Sequence, residues 1–264
     1  MKLTPTASVL IFFVICLFAC KKSNTAGKPP QTSDKPVRIA SSGTNYTPTV
    51  FLISYNTAGN IVSIDDSVAG IIYTATYDAS GNLVHILQMQ GSTAGDSAIY
   101  AYNSQGQLIG AKTSIQGTGA LTTYYYTSGQ LTADSTYYFV GSVPNSLSFS
   151  AFVWSGGNIS TVQTGSTGSS NGDTIDITYT SGANIFKQLS LFNYSEGLQN
   201  TDVASPYTFF NQNLMTGYSY TLSSGTVIET TTYTYDSENR IIEAKAFENW
   251  GSNGTYTYDW LISY

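Results

Sequence analysis

One short pattern recurs along most of this chain, and it dictates a tight turn. Tyr55-Asn56-Thr57-Ala58-Gly59-Asn60-Ile61, Tyr77-Asp78-Ala79-Ser80-Gly81-Asn82-Leu83 and Tyr102-Asn103-Ser104-Gln105-Gly106-Gln107-Leu108 match position for position. Shorter versions follow at 126–131, 154–159 and 179–185, anchored on Tyr126, Trp154 and Tyr179, and 220–227 and 235–241 read as the last units. From Tyr55 to Tyr179 the aromatics step by 22, 25, 24, 28 and 25 residues. In each unit glycine or asparagine stands where the turn needs positive φ, and the preceding Asp or Asn can bond back to the turn backbone.

Between turns the chain alternates. Ile71, Tyr73, Ala75 and Tyr77 fall on one face and Ile72, Thr74 and Thr76 on the other, which is the period of a strand. Thr, Tyr, Val and Ile dominate, as a pleated surface prefers. A step of roughly 24 residues is two strands of about eight with two turns, so one repeat is one hairpin. The predicted fold is all-β: an antiparallel meander of repeated hairpins with roughly 14 to 16 strands, curled into a half-barrel or barrel-like sheet because an open sheet so wide does not stay flat. No segment carries a helical period.

The first residues have a different character. Lys2 precedes an apolar run ending in Leu17-Phe18-Ala19-Cys20, too short to span a bilayer as a helix and ordered like a secretory signal. Leu17-Phe18-Ala19-Cys20 resembles the lipobox of bacterial lipoproteins, which implies cleavage before Cys20, lipidation of Cys20, and anchoring by acyl chains rather than by a spanning segment. The expected organisation is a signal peptide over 1–19, a lipidated Cys20 with a flexible linker over 20–45, and a hairpin-repeat domain over 46–264. With Cys16 discarded and Cys20 acylated, no cysteine is left for a disulfide, zinc site or thiol nucleophile.

The Tyr-[Asp/Asn]-x-x-Gly-[Asn/Gln]-[Leu/Ile] pattern resembles the YD repeats of Rhs-type surface proteins. Together with the lipobox, the Tyr- and Gly-rich array resembles Bacteroidetes lipoproteins of unknown function with a porin-like fold. The resemblance covers nearly all of 46–264 and implies fold and location. Its motif encodes turn geometry, and the family supplies no catalytic residues to carry over.

Charge narrows the partners. From Tyr46 onward only Lys112, Lys187, Arg240 and Lys245 stand against fifteen acidic residues, a formal balance of −11. Such a domain repels phosphate backbones, so nucleic acid is excluded as a partner. The expected partners are the membrane, through the lipid anchor, and a glycan or an envelope protein. The expected location is the outer membrane, and because Lys21-Lys22-Ser23-Asn24 carries no acidic cluster, the periplasmic face is favoured over the cell surface.

No constellation argues for catalysis, and no cofactor or metal is expected. His85 is the only histidine, on a predicted strand and without a nucleophile elbow nearby. Asp65-Asp66 and 171–176 bring hard oxygen donors together but match no calcium-loop spacing. Glu229, Glu243, Glu248 and Asp259 are the carboxylates from which a glycoside hydrolase, one alternative reading, would draw its pair. The other alternative is an outer-membrane β-barrel, suggested by Tyr256, Tyr258, Trp260, Ile262 and Tyr264 on one face of the last strand. Most rings are expected to stabilise the sheet as cross-strand pairs. Tyr125, Tyr137, Trp154 and Trp250 are the candidate ligand-binding aromatics, since exposed rings offer flat apolar platforms with a polar handle.

Overall fold

A computed structural model describes residues 35–44, 46–115, 118–141, 143–167, 172–194, 209–222, 225–251 and 254–264. The signal segment, Cys20 and the start of the linker lie outside the described residues. Sixteen strands form one closed antiparallel barrel in simple meander order, with the first strand paired to the last. In chain order they are β1 (Arg38–Gly43), β2 (Tyr46–Tyr55), β3 (Ile61–Asp66), β4 (Ile71–Tyr77), β5 (Leu83–Gln90), β6 (Thr93–Tyr102), β7 (Leu108–Ile115) and β8 (Thr118–Thr127). The second half holds β9 (Gln130–Val140), β10 (Val143–Ser155), β11 (Asn158–Ser166), β12 (Asp173–Ala183), β13 (Asn213–Leu222), β14 (Gly225–Tyr235), β15 (Ile241–Asn249) and β16 (Thr255–Ser263).

Two expectations change. β1 lies inside the stretch read as linker, and it closes the barrel by pairing Arg38 with Ser263 through Gly43 with Tyr258. Its six residues, Arg-Ile-Ala-Ser-Ser-Gly, carry little apolar–polar alternation, and its partner stands at the far end of the sequence. The 220–227 stretch is not a unit of the motif: its turn joins Leu222 to Gly225 at the end of the barrel opposite the motif turns. The 179–185 unit likewise makes no hairpin, because the chain turns inward there.

Every position of the motif has a structural task. Asp78 Oδ1 accepts the N–H groups of Ser80 and Asn82 at 2.9 and 2.8 Å, and Asn103 and Asp236 hold their turns in the same way. Gly59, Gly81 and Gly106 sit at φ of 81°, 82° and 75°, with Asn239 at 62° in the last unit, values that L side chains tolerate poorly. The motif aliphatics Ile61, Leu83, Leu108, Leu131, Ile159 and Ile241 are all buried inside the barrel.

At Tyr77, Tyr126, Trp154 and Tyr179 the motif aromatic is a latch. Tyr77, Tyr126 and Tyr179 donate their hydroxyls to the backbone carbonyls of Ile61, Leu108 and Ile159 at 2.7, 2.9 and 2.6 Å. Trp154 Nε1 reaches Leu131 at 2.6 Å and Tyr264 reaches Ile241 at 3.1 Å. Each ring thus bonds the carbonyl of the aliphatic that opens the preceding unit's return strand. Burial pushes the Tyr77 and Tyr126 hydroxyls up to about 12, so they remain donors at neutral pH. Tyr77→Phe keeps the ring and deletes the bond; a loss of about 0.5–1.5 kcal/mol is expected, read as a fall of a few degrees in melting temperature.

Candidate functional site

The barrel offers three places where chemistry could occur: its lumen, its open mouth opposite the motif turns, and its outer wall. Along each return strand the inward residues run from apolar at the turn end to polar at the mouth: Ile61, Ile64, Asp66 on β3; Leu108, Ala111, Thr113 on β7; Ile241, Ala244, Ala246, Glu248 on β15. The turn-end half is therefore a core.

That half is filled from within. After β12 the chain enters the lumen, where Phe186, Leu189, Leu191 and Phe192 are buried around a short 3-10 helix (Leu189–Tyr194). Tyr100 donates its hydroxyl to the Leu191 carbonyl at 2.5 Å, and Tyr124 packs on Phe210 with ring centroids 5.4 Å apart. Asparagines tie the base of this plug to the wall. Asn211 accepts the Ile159 N–H at 2.6 Å and donates to the Tyr179 hydroxyl at 2.7 Å, while Asn158 accepts the N–H groups of Gln212 and Asn213, both at 2.9 Å. Beside the plug, among Tyr73, Ile86, Leu191 and Phe192, a cavity of about 10 Å³ remains, the least that could hold one water.

The candidate carboxylates are divided by the wall. Glu229 and Glu248 face each other across β14 and β15 and point inward, 2% and 4% exposed. Glu248 accepts from Tyr218, from Trp250 Nε1 at 3.0 Å and from the Tyr258 hydroxyl at 3.3 Å; Thr231 donates to Glu229 at 3.0 Å. Glu243 and Asp259 lie outside, with Lys245 bridged to Glu243 at 3.0 Å. These three line a shallow outer groove of about 380 Å³ over the β1 seam. A further inward carboxylate, Asp134, lies between Tyr124 and Ser150; burial raises its carboxyl to about 6, opposed by hydrogen bonds from Ser150. His85 lies on the outward side of β5, opposite Thr76 and Ile99. Asp66 holds the β3–β4 turn by accepting the N–H groups of Val68 and Ala69, and no cluster with metal-ligating composition occurs among the described residues.

The structure separates the four candidate aromatics. Tyr125 and Tyr137 project outward from β8 and β9, 49% and 43% exposed. Trp154 is a half-buried latch, so its indole serves the fold. Trp250 stands in the β15–β16 turn, bonded to Glu248 and edge-on to Tyr256 at 6.4 Å. Sequence reasoning missed Phe149, half exposed on β10 and diagonal to Tyr137, because the alternation Leu147-Ser148-Phe149-Ser150 would turn the ring to the core, whereas the register turns Ser150 inward.

The last strand bears on the spanning alternative. Trp260 and Ile262 are buried in the lumen, and Tyr258 stacks on Trp260 at 6.1 Å. The aromatic face therefore looks inward, and the outer face of β16 reads Thr255, Thr257, Asp259, Leu261 and Ser263.

This fold is similar to that of a porin-like protein from Bacteroides uniformis ATCC 8492. The two align with a TM-score of 0.54 at 18% identity, over 86% of this chain and 96% of that one. The fold is porin-like. A second porin-like protein, from Bacteroides vulgatus ATCC 8482, aligns with a TM-score of 0.49 at 12% identity over 87% of this chain and 98% of its own. No protein-family model and no curated protein matches the chain. The porin-like likeness is one of architecture, and in this chain the lumen that architecture encloses is occupied at its turn end.

Proposed function

We propose that this chain is a lipid-anchored, non-enzymatic protein of the outer envelope, facing the periplasm, whose barrel is a rigid scaffold for binding. The observation that carries the reading is the plug. A barrel of 16 to 18 strands ordinarily leaves an aqueous channel, whereas Phe186, Leu189, Leu191, Phe192 and Phe210 occupy the turn-end half of this one.

The outer wall supports the same reading. A spanning barrel shows lipid an unbroken apolar band, but here Lys112 projects from the middle of β7, Asp176 from β12, and Glu243, Lys245 and Asp259 from β15 and β16. A lysine facing lipid at mid-depth costs about 2–4 kcal/mol. A lipid on Cys20 serves a barrel that does not insert by itself.

Against the hydrolase alternative stands the burial of Glu229 and Glu248, whose carboxylates are engaged by Tyr218, Thr231, Trp250 and Tyr258. Glycoside cleavage needs two carboxylates flanking a bound sugar, and the space beside these is occupied by protein.

Metabolic labelling with radioactive palmitate tests the anchor. The label is expected on the wild-type chain and not on Cys20→Ala, with the wild type fractionating in the outer membrane and protected from protease in intact cells. An unlabelled wild-type chain would overturn the anchored reading.

A further inference from the structure

We propose that the outer wall of β8, β9 and β10 is the binding face, and that its ligand is a neutral polysaccharide chain; this deepens the binding role proposed above. The first observation is charge. Between residues 97 and 172 the only Asp, Glu, Lys or Arg residues are Lys112 and Asp134. Asp134 points into the lumen, so Lys112 is the one charge that sector turns outward, whereas the rest of the wall is dotted with Asp65, Asp176, Glu243, Lys245 and Asp259. In a domain with a formal balance of −11, an uncharged face matches an uncharged partner, and anionic polymers are repelled by everything around it.

The second observation is the arrangement of rings. Tyr125, Tyr137 and Phe149 are 49%, 43% and 50% exposed. Phe149 reaches across the wall over Gly165, where a Cβ would stand 2.2 Å from the tip of its ring, so the missing side chain leaves room for the ring to lie over the neighbouring strand. The Tyr125 hydroxyl is fixed by Ser135 Oγ at 3.0 Å. Tyr137 and Phe149 are diagonal neighbours on adjacent strands, roughly 7–8 Å apart at their backbones. The rings form a shallow platform along the wall, suited to an extended ligand.

The third observation is what lies between the rings. Thr123 and Ser135 stand side by side in register with Phe149, and one outward position along, Gln163 on β11 pairs with Ala151. A polyhydroxylated chain stacks its C–H faces on the rings and exchanges hydrogen bonds with these hydroxyls and this amide. Acyl chains would satisfy the rings and strand the polar groups, at about 1–3 kcal/mol for each group left unpaired. Chemistry therefore favours the glycan over a lipid surface.

The test is native affinity electrophoresis of the full-length protein in detergent micelles, through gels containing dextran, starch, xylan, galactomannan or a β-glucan, and in parallel polygalacturonate and alginate. At least a twofold retardation is expected in one or more neutral gels and none in the acidic ones. Tyr125→Ala/Phe149→Ala should abolish it with little change in melting temperature, Tyr137→Ala should weaken it, and Phe247→Ala on the charged side of the barrel should leave it intact. Migration unaffected by every neutral polymer, retardation confined to acidic gels, or retardation that survives the double variant would overturn the proposal. So would sedimentation showing a dimer that this double variant dissociates, which would assign the face to a second copy. Palmitate labelling reads none of these outcomes, so the anchor and the ligand fail separately.

Discussion

Phe192→Ala is expected to lower the stability of the barrel by about 3–5 kcal/mol, the usual cost of truncating a buried phenylalanine where the surroundings relax only partly. Phe192 is 1% exposed and packs in the lumen close to Tyr73 and Ile86, on walls held by hydrogen-bonded strands on both sides. Those walls cannot collapse onto the space, so the upper part of the range is expected. Urea unfolding measures it: the midpoint should fall with little change in slope. A loss below about 1 kcal/mol would mean that the plug rests loosely in the lumen, and the argument for an occluded lumen would lose its main support.

Asp134→Asn is expected to stabilise the protein, and only above acidic pH. The folded state raises this carboxyl from 3.8 to about 6 because burial disfavours the charge. Well below pH 4 the group is protonated in both states and costs nothing. As pH rises from 4 toward 6 the unfolded chain releases its proton while the barrel retains it, so stability falls with pH, and above 6 the deficit is complete. The gap corresponds to about 3 kcal/mol. Asparagine removes the charge and still accepts from Ser150, so at pH 7.5 the variant should exceed the wild type by about 2–3 kcal/mol, and at about pH 3, below the unfolded value, the two should nearly coincide. A difference independent of pH would show that Asp134 is not held in an apolar site.

The contrast between these residues and the repeat explains what the sequence could reveal. The motif was legible because each unit carries its own turn: Asp78, Gly81 and Leu83 act within seven residues of one another, and local chemistry implies a hairpin wherever it recurs. A barrel-like sheet followed from the number of hairpins. Closure itself depended on β1, whose Arg-Ile-Ala-Ser-Ser-Gly has no pattern of its own and gains meaning only opposite β16.

The plug was illegible for a related reason. Phe186, Leu189, Leu191 and Phe192 fit neither a helical nor a strand period, and no local rule says that such a segment turns into a barrel instead of lying on its surface. The latch partners were hidden as well. An aromatic at the head of each unit suggested a cross-strand pair, but bonding from Tyr77 to the Ile61 carbonyl depends on the stagger between neighbouring hairpins. Register likewise placed Glu229 opposite Glu248 inside the wall and Glu243 and Asp259 outside it, a division that their nearness in sequence conceals.

Sedimentation of the Cys20→Ala protein in detergent-free buffer tests the central claim most directly, since a plugged barrel with charges on its outer wall needs the lipid alone to hold it at a membrane. The account predicts a folded, compact protein that stays in the supernatant after the membranes are pelleted and sediments at the mass of the chain or of a small defined oligomer. Recovery of the folded Cys20→Ala chain only from the membrane pellet, and only with detergent, when residues 1–19 are also removed, would contradict it and make the barrel a spanning one.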